Sequence, residues 1–181
     1  DVTALERLPF WNQLASRMVA PLEIEAMDPE RFEARLYRRR IRECEIVSPI
    51  SAPASISNSG QPGDAGVLNL QLQLVGRTRN FTNGRACELE EGDFLLYDPS
   101  QPLRLSFTEP TQVVVLRLPL AQIEQRLPRL RQLAGVKIRG DRGPGAVFSS
   151  FLRKAWKQMQ IDDGDWVETL DEVIWPLLDM A

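Results

Sequence analysis

The sequence predicts a mainly β chain, a sandwich or barrel, with a short helix before it and a helical hairpin after it. Three observations carry this expectation. From about residue 31 to 118, short apolar-rich segments bounded by turn residues recur at even spacing, without the long helical patterns that would alternate with strands in a parallel sheet. Residues 5–18 and 148–178 instead repeat apolar positions at three- and four-residue steps. The length of 181 residues, with 43% hydrophobic and 26% charged residues, suits one folded β domain with an appendage.

Each element follows from local pattern. Leu5, Leu8, Trp11, Leu14, Ala15 and Met18 share one helix face, and Pro9 places the predicted helix start there, because proline suits a first turn. Pro21 and Pro29 bracket a predicted turn. Phe32, Ala34 and Leu36 alternate with Glu33 and Arg35; Ile41, Cys44, Ile46 and Val47 continue with looser alternation. Residues 54–57 form a short candidate strand, and 58–66 read as a loop by their Gly, Pro, Asn and Ser content. The clearest strand is Val67–Val75, with Leu68, Leu70, Leu72 and Leu74 on one face and Asn69, Gln71 and Gln73 on the other. The leucine face reads as core. The amide face reads as solvated, hydrogen-bonded to a neighbour, or a polar shelf for a ligand.

Asn83-Gly84 is the strongest hairpin signal and joins 78–82 to 85–89. Glu91-Gly92-Asp93 is a second tight turn, and 94–97, 103–107 and 112–118 complete the strands. Pro119 opens a short helix through Arg126. Phe148, Phe151, Leu152, Ala155, Trp156 and Met159 define a longer helix, and Trp166, Leu170, Val173, Ile174, Leu177 and Leu178 another. The loop between them is short, so an antiparallel hairpin is expected, with Asp165 and Glu168 as a capping box.

Composition excludes whole classes of chemistry. The chain has no histidine, so it holds no Ser-His-Asp triad, no Cys-His pair and no imidazole-ligated metal. Two cysteines, Cys44 and Cys87, fit buried thiols in a reducing compartment. Neither a membrane span nor a signal peptide is expected, so the predicted location is cytoplasmic. With 22 Lys+Arg against 25 Asp+Glu, the net charge of −3 argues against the chain gripping DNA by itself.

The segments 70–77, 83–85, 89–102 and 116–119, in that order and spacing, resemble the N-terminal cupin-like regulatory domain of AraC-type transcription regulators. Gly92-Asp93, Asp98 and Pro102 carry its G-D-x-x-x-x-D-x-x-x-P segment. The resemblance implies a cupin-like jelly-roll barrel over 1–118 and a helical region with a dimerising hairpin over 119–181. It also implies a bacterial, non-enzymatic sensor of a small-molecule effector, needing no cofactor, with DNA bound by a separate C-terminal helix-turn-helix domain. The chain ends inside a predicted helix, so a regulatory domain of a longer protein is expected. Metal-dependent cupins use histidines, which are absent here.

The candidate effector contacts are Phe94, Leu96, Arg104 and Arg117, on adjacent predicted strands. Arg117 is read either as a salt bridge to Asp98 or as a clamp for an effector carboxylate. Arg38, Arg39, Arg40 and Arg42 read as a solvated strand edge, or as a site for an anionic ligand or the DNA-binding domain. The candidate homodimer interface is Phe148, Phe151, Trp156, Trp166, Leu170, Ile174 and Leu177, because the hairpin offers more apolar surface than one barrel flank needs. Arg153, Lys154 and Lys157 face an acidic partner helix carrying Asp162, Asp163, Asp165, Glu168, Asp171, Glu172 and Asp179. Two rival functions remain: a metal-free cupin isomerase or lyase, and a filled barrel that only dimerises.

Overall fold

The computed structural model describes residues 3–18, 21–58, 60, 66–162 and 164–181. The predicted loop at 58–66 and the acidic Asp163 therefore fall largely or wholly outside the described residues. In chain order the elements are α1 (Ala4–Met18), β1 (Glu23–Ala26), β2 (Ala34–Ile41), β3 (Cys44–Ser51), β4 (Ala54–Asn58), β5 (Val67–Val75), β6 (Thr78–Thr82), β7 (Arg85–Leu89), β8 (Phe94–Tyr97), β9 (Leu103–Phe107), β10 (Thr111–Pro119), α2 (Leu120–Arg126), β11 (Lys137–Ile138), α3 (Gly143–Met159) and α4 (Trp166–Met180). A 3₁₀ turn, Pro128–Leu133, follows α2.

The strands form two antiparallel sheets, a front sheet ordered β1-β4-β9-β6-β7 and a back sheet ordered β11-β8-β5-β10-β3-β2. The expected barrel is therefore a flattened one, the two-sheet arrangement of a jelly roll. The inner faces enclose Ile24, Phe107 and Trp11 at one end and Leu89, Leu95, Tyr97 and Leu103 at the other. The outer face of the back sheet is not solvated. Leu68, Leu70, Leu72, Leu116 and Ile46 lie there and share one continuous core with Phe148, Leu152, Trp156, Leu170 and Ile174 of the hairpin. Strand β5 is thus buried on both sides, which its leucine–amide alternation did not reveal.

Several local expectations hold in detail. Asn83 (φ 51°) and Gly84 (φ 71°) occupy the two left-handed positions of the β6–β7 turn. Strand β2, with its arginines, is an edge strand of the back sheet. Others need correction. Helix α1 starts at Ala4 rather than Pro9; upstream, Glu6 Oε2 accepts from the Thr3 amide at 3.4 Å and the Thr3 hydroxyl at 2.6 Å, the glutamate half of a capping box. Asp165 makes no side-chain cap on α4; Asp162 instead accepts from Gly164 N and Trp166 Nε1, both at 3.1 Å. Strand β1 lies where a turn was expected. It is only four residues long, and pairing with β4 holds it in place.

Candidate functional site

The back sheet carries polar side chains into the space between the sheets. One row crosses it: Glu45 pairs with Arg117, Arg117 with Asn69, and Asn69 with Tyr97. The guanidinium of Arg117 donates to Glu45 Oε2 at 3.2 Å and to the Met18 carbonyl at 2.8 Å. Asn69 is fully buried, and neither amide atom has a hydrogen-bond partner among the described residues. A second network lies further along β5. The Thr78 hydroxyl receives Gln71 Nε2 at 3.3 Å and Asn80 Nδ2 at 3.0 Å, and donates to Gln73 Oε1 at 2.9 Å. Gln73 Nε2 in turn donates to Thr111 Oγ1 at 2.7 Å.

Beside these groups is a cavity of about 60 Å³. Front-sheet Ile24, Ile56, Leu105 and Phe107 face back-sheet Gln71, Tyr97, Val113 and Val115 across it. Its described wall holds Ser51 and Thr111 but no charged side chain. The volume equals that of about two waters.

Helix α1 closes the open side of the sandwich, and it does so unevenly. Toward β1 it is stitched to the free strand edge: Asn12 Oδ1 accepts from Ile24 N at 2.7 Å while its Nδ2 donates to Ile24 O at 2.9 Å. Ser16 Oγ serves Leu22 N and O in the same way, at 3.2 and 2.9 Å. These side chains replace the missing strand neighbour. Toward β2 the helix stands off, leaving a groove of about 850 Å³. Trp11, Leu36 and Ser51 border both groove and cavity.

The structure redistributes the residues predicted to contact an effector. Phe94 and Leu96 point away from the interior. They pair with Leu72 and Leu70 and lie on the helix-covered face, where Phe94 meets Phe148 with ring centroids 5.2 Å apart. The two-residue period fixes faces only up to parity; Leu95 and Tyr97 are the inward pair. Arg104 is exposed on the front sheet beside a shallow cleft with Phe81. Arg117 does face inward, but its ion partner is Glu45 rather than Asp98. Asp98 instead caps its own turn, accepting Ser100 N at 2.9 Å and Ser100 Oγ at 2.6 Å.

The proposed interface residues divide. Phe148, Trp156, Leu170 and Ile174 are buried within the chain itself and belong to its own core; Phe151, Trp166 and Leu177 are half-buried. The outward face of the hairpin carries Val147, Val173, Pro176 and Met180 instead. The sequence pattern marked an apolar stripe on each helix but could not say that the leucine face of β5 needed covering.

Two groups fasten the hairpin to the sandwich. Asp93, in the glycine–aspartate turn, accepts from Lys137 Nζ at 2.6 Å and from Glu90 N and Gly140 N at 3.1 Å. Gly140 passes so close that any Cβ would overlap the Gly92 carbonyl, which also accepts Ser149 Oγ at 2.8 Å. At the other end, the Cys44 thiol approaches Asp171 Oδ1 of α4 at 3.5 Å, and Trp175 Nε1 donates to the same oxygen at 3.2 Å. Burial, helped by the Asp171 carboxylate, pushes the Cys44 thiol up to about 12. Burial also raises Cys87, the half-buried thiol. Among the described residues no three acidic or thiol side chains gather as metal ligands, and no helix is long and apolar enough to cross a membrane.

A two-sheet, cupin-like β domain with a helix over its open seam and a helical hairpin on its back defines the class. The chain belongs to the AraC-binding-like domain family, whose family model matches residues 11–178. It is similar to a protein of Bacillus sp. (strain OxB-1) described as an uncharacterized protein in the nit 5′ region, with 23% identity over 155 residues, or 84% of this chain and 60% of that one. Among solved structures it is similar to the AraC-like transcriptional activator CuxR. The TM-score is 0.78 at 16% identity, covering 97% of this chain and 65% of that one. The chain thus spans less than two thirds of either relative.

Proposed function

We propose that this domain is the effector-sensing and dimerising part of an AraC-type transcription regulator. In this reading a small molecule binds between the sheets, and the hairpin relays its presence to a second copy and to a separate DNA-binding domain. The observation that carries the sensing reading is the polar inner face of β5. Burying Asn69 with both amide atoms unbonded among the described residues costs about 1–3 kcal/mol, which packing alone does not call for. A buried polar group without a partner needs an explanation, and a ligand bound beside Gln71 and Tyr97, its neighbours on the inner face, supplies one. The uncharged cavity wall favours a sensor over an acid–base catalyst.

The test is a thermal-shift screen of small molecules on wild type and on Asn69→Leu. The variant is expected to be as stable as wild type or more so, and to lose the ligand-induced shift. A ligand response unchanged in Asn69→Leu, or no response to any compound, sinks the reading. The second outcome selects the filled, purely dimerising domain, which the small cavity favours. For dimerisation, Val173→Glu with Met180→Lys on the exposed face should turn a dimer into a monomer by light scattering. A wild-type monomer at high concentration refutes that part.

A further inference from the structure

We infer that the outer face of the front sheet carries a second small-molecule site, separate from the interior, and that its ligand is a zwitterionic α-amino acid with an apolar side chain. Cross-strand register sets one row over this sheet. Glu23 of β1 stands opposite Ser57 of β4, Ser57 opposite Arg104 of β9, and Arg104 opposite Phe81 of β6. Their chain neighbours Ile24, Ile56 and Leu105 line the inner cavity, and Asn80 and Thr82 are buried, so strand alternation turns all four row members outward. The same four residues border one cleft of about 590 Å³, within the roughly 300–1,000 Å³ of small-molecule sites.

The row holds an acid and a base that do not meet. Neither the Glu23 carboxylate nor the Arg104 guanidinium makes an ion pair or hydrogen bond with a described residue. In the neighbouring row Arg79 and Glu88 stand directly opposite each other and bond at 3.2 Å. Here Ser57 intervenes, so acid and base lie two strand spacings apart, about 10 Å between backbones. A serine side chain fills little of that gap. What bridges a carboxylate and a guanidinium held apart is a ligand that carries both complementary charges close together. Its carboxylate takes the planar fork of Arg104, its ammonium takes Glu23, and the Ser57 hydroxyl lies between them. A simple anion would meet like charge at Glu23, and a simple cation would meet it at Arg104.

The aromatic ring sets the rest of the ligand. Phe81 is 45% exposed, directly beside Arg104, with the small Ala86 on its other flank. Its ring, with Leu22 and Pro102 on the cleft wall, receives an apolar side chain.

The probes are phenylalanine, phenethylamine, which lacks the carboxylate, and hydrocinnamate, which lacks the ammonium. Calorimetry on this chain is expected to find phenylalanine bound at least about tenfold more tightly than either analogue. Arg104→Gln should weaken phenylalanine at least about tenfold and leave phenethylamine unchanged. Glu23→Gln should weaken it as much and leave hydrocinnamate unchanged. Phe81→Ser should weaken phenylalanine and leave glycine unchanged. Arg79→Gln, one row away on the same face, should change none of these. Equal binding of phenylalanine and either analogue, or phenylalanine binding unchanged in Arg104→Gln, overturns the zwitterion assignment. Where phenylalanine does not bind, the other standard α-amino acids are titrated in turn. Saturable binding by one of them, lost in Arg104→Gln, supports the site, and binding by none overturns it. The interior is scored apart: a response lost in Asn69→Leu and kept in Arg104→Gln belongs between the sheets, and leaves the sensing reading standing whatever the outcome here.

Discussion

Replacing Asp93 by asparagine tests whether the glycine–aspartate turn is a fastener for the hairpin. The carboxylate is buried (6% exposed) and accepts from Glu90 N, Gly140 N and Lys137 Nζ. Asparagine has one acceptor oxygen where aspartate has two. Whichever way the amide turns, one backbone N–H then meets an NH₂ donor. Losing that charge-assisted bond and leaving a buried N–H unpaired costs about 1.5–3 kcal/mol. The pair to Lys137 adds up to about 1 kcal/mol, discounted because the lysine is 30% exposed. The total, about 2–4 kcal/mol, corresponds to a fall in Tm of roughly 10 °C for a chain of this size. Urea unfolding and calorimetry on wild type, Asp93→Asn and Lys137→Met measure it, with the lysine variant expected to lose about 1 kcal/mol or less. An Asp93→Asn loss below about 1 kcal/mol, or one no larger than that of Lys137→Met, would show that the backbone contacts do not matter.

Three further outcomes are expected. Phe94→Ala and Phe148→Ala should each cost about 3–5 kcal/mol, with a coupling of about 0.5–1.5 kcal/mol in the double-mutant cycle; a coupling near zero contradicts the ring contact. Asn12→Ala should cost about 1–3 kcal/mol and speed amide exchange at Ile24, its backbone partner; unchanged exchange there argues against the stitch. Cys44 gives a pH dependence of known sign. Its pKa is raised in the fold from 9.0 to about 12, so its contribution is complete below pH 9. It is lost as pH rises toward 12, at up to about 1.4 kcal/mol per pH unit. Urea midpoints of wild type and Cys44→Ala between pH 8 and 10.5 check this, the wild type falling faster; parallel curves refute it.

Much of the architecture was legible because strand period and turn chemistry are local. The β5 alternation, the Asn83-Gly84 turn and the helical stripes of α3 and α4 each announce themselves within ten residues or so. The site was legible in part. Arg117, expected to meet Asp98 or an effector, does face inward, yet its carboxylate partner Glu45 lies 72 residues away and no local pattern connects them. Phe94 and Leu96 went to the wrong side because a strand of four residues has no polar position to reveal its parity. The same gap hid the role of Asn69. An amide row opposite a leucine row normally means a solvated face, and only the helical cover over the leucines turns the amides inward. The Leu68/Leu70/Leu72 face and the hairpin were read separately as core and as interface, when each was the other's partner.

The placement of β3 ties these features together. Its first two residues point to opposite sides of the back sheet. Cys44 faces outward to Asp171 of α4, and Glu45 faces inward to Arg117, which also holds the Met18 carbonyl at the end of α1. Glu45 is bonded as well to Arg38 of the neighbouring edge strand, and Arg42 in the β2–β3 turn reaches Glu172 of α4 at 3.0 Å. One strand end thus touches the helix that covers the cavity and the helix that carries the hairpin's outward face. Any displacement of α1 at Met18 would break its bond to Arg117, one residue along β3 from the Cys44 contact with α4. A contiguous chain of polar contacts is necessary for such coupling but does not prove it. If the domain binds an effector and associates through the hairpin as proposed, linkage requires that the two affinities shift each other by the same factor. Glu45→Gln, which keeps the strand's shape and removes the charge both arginines hold, is the substitution on which that equality turns.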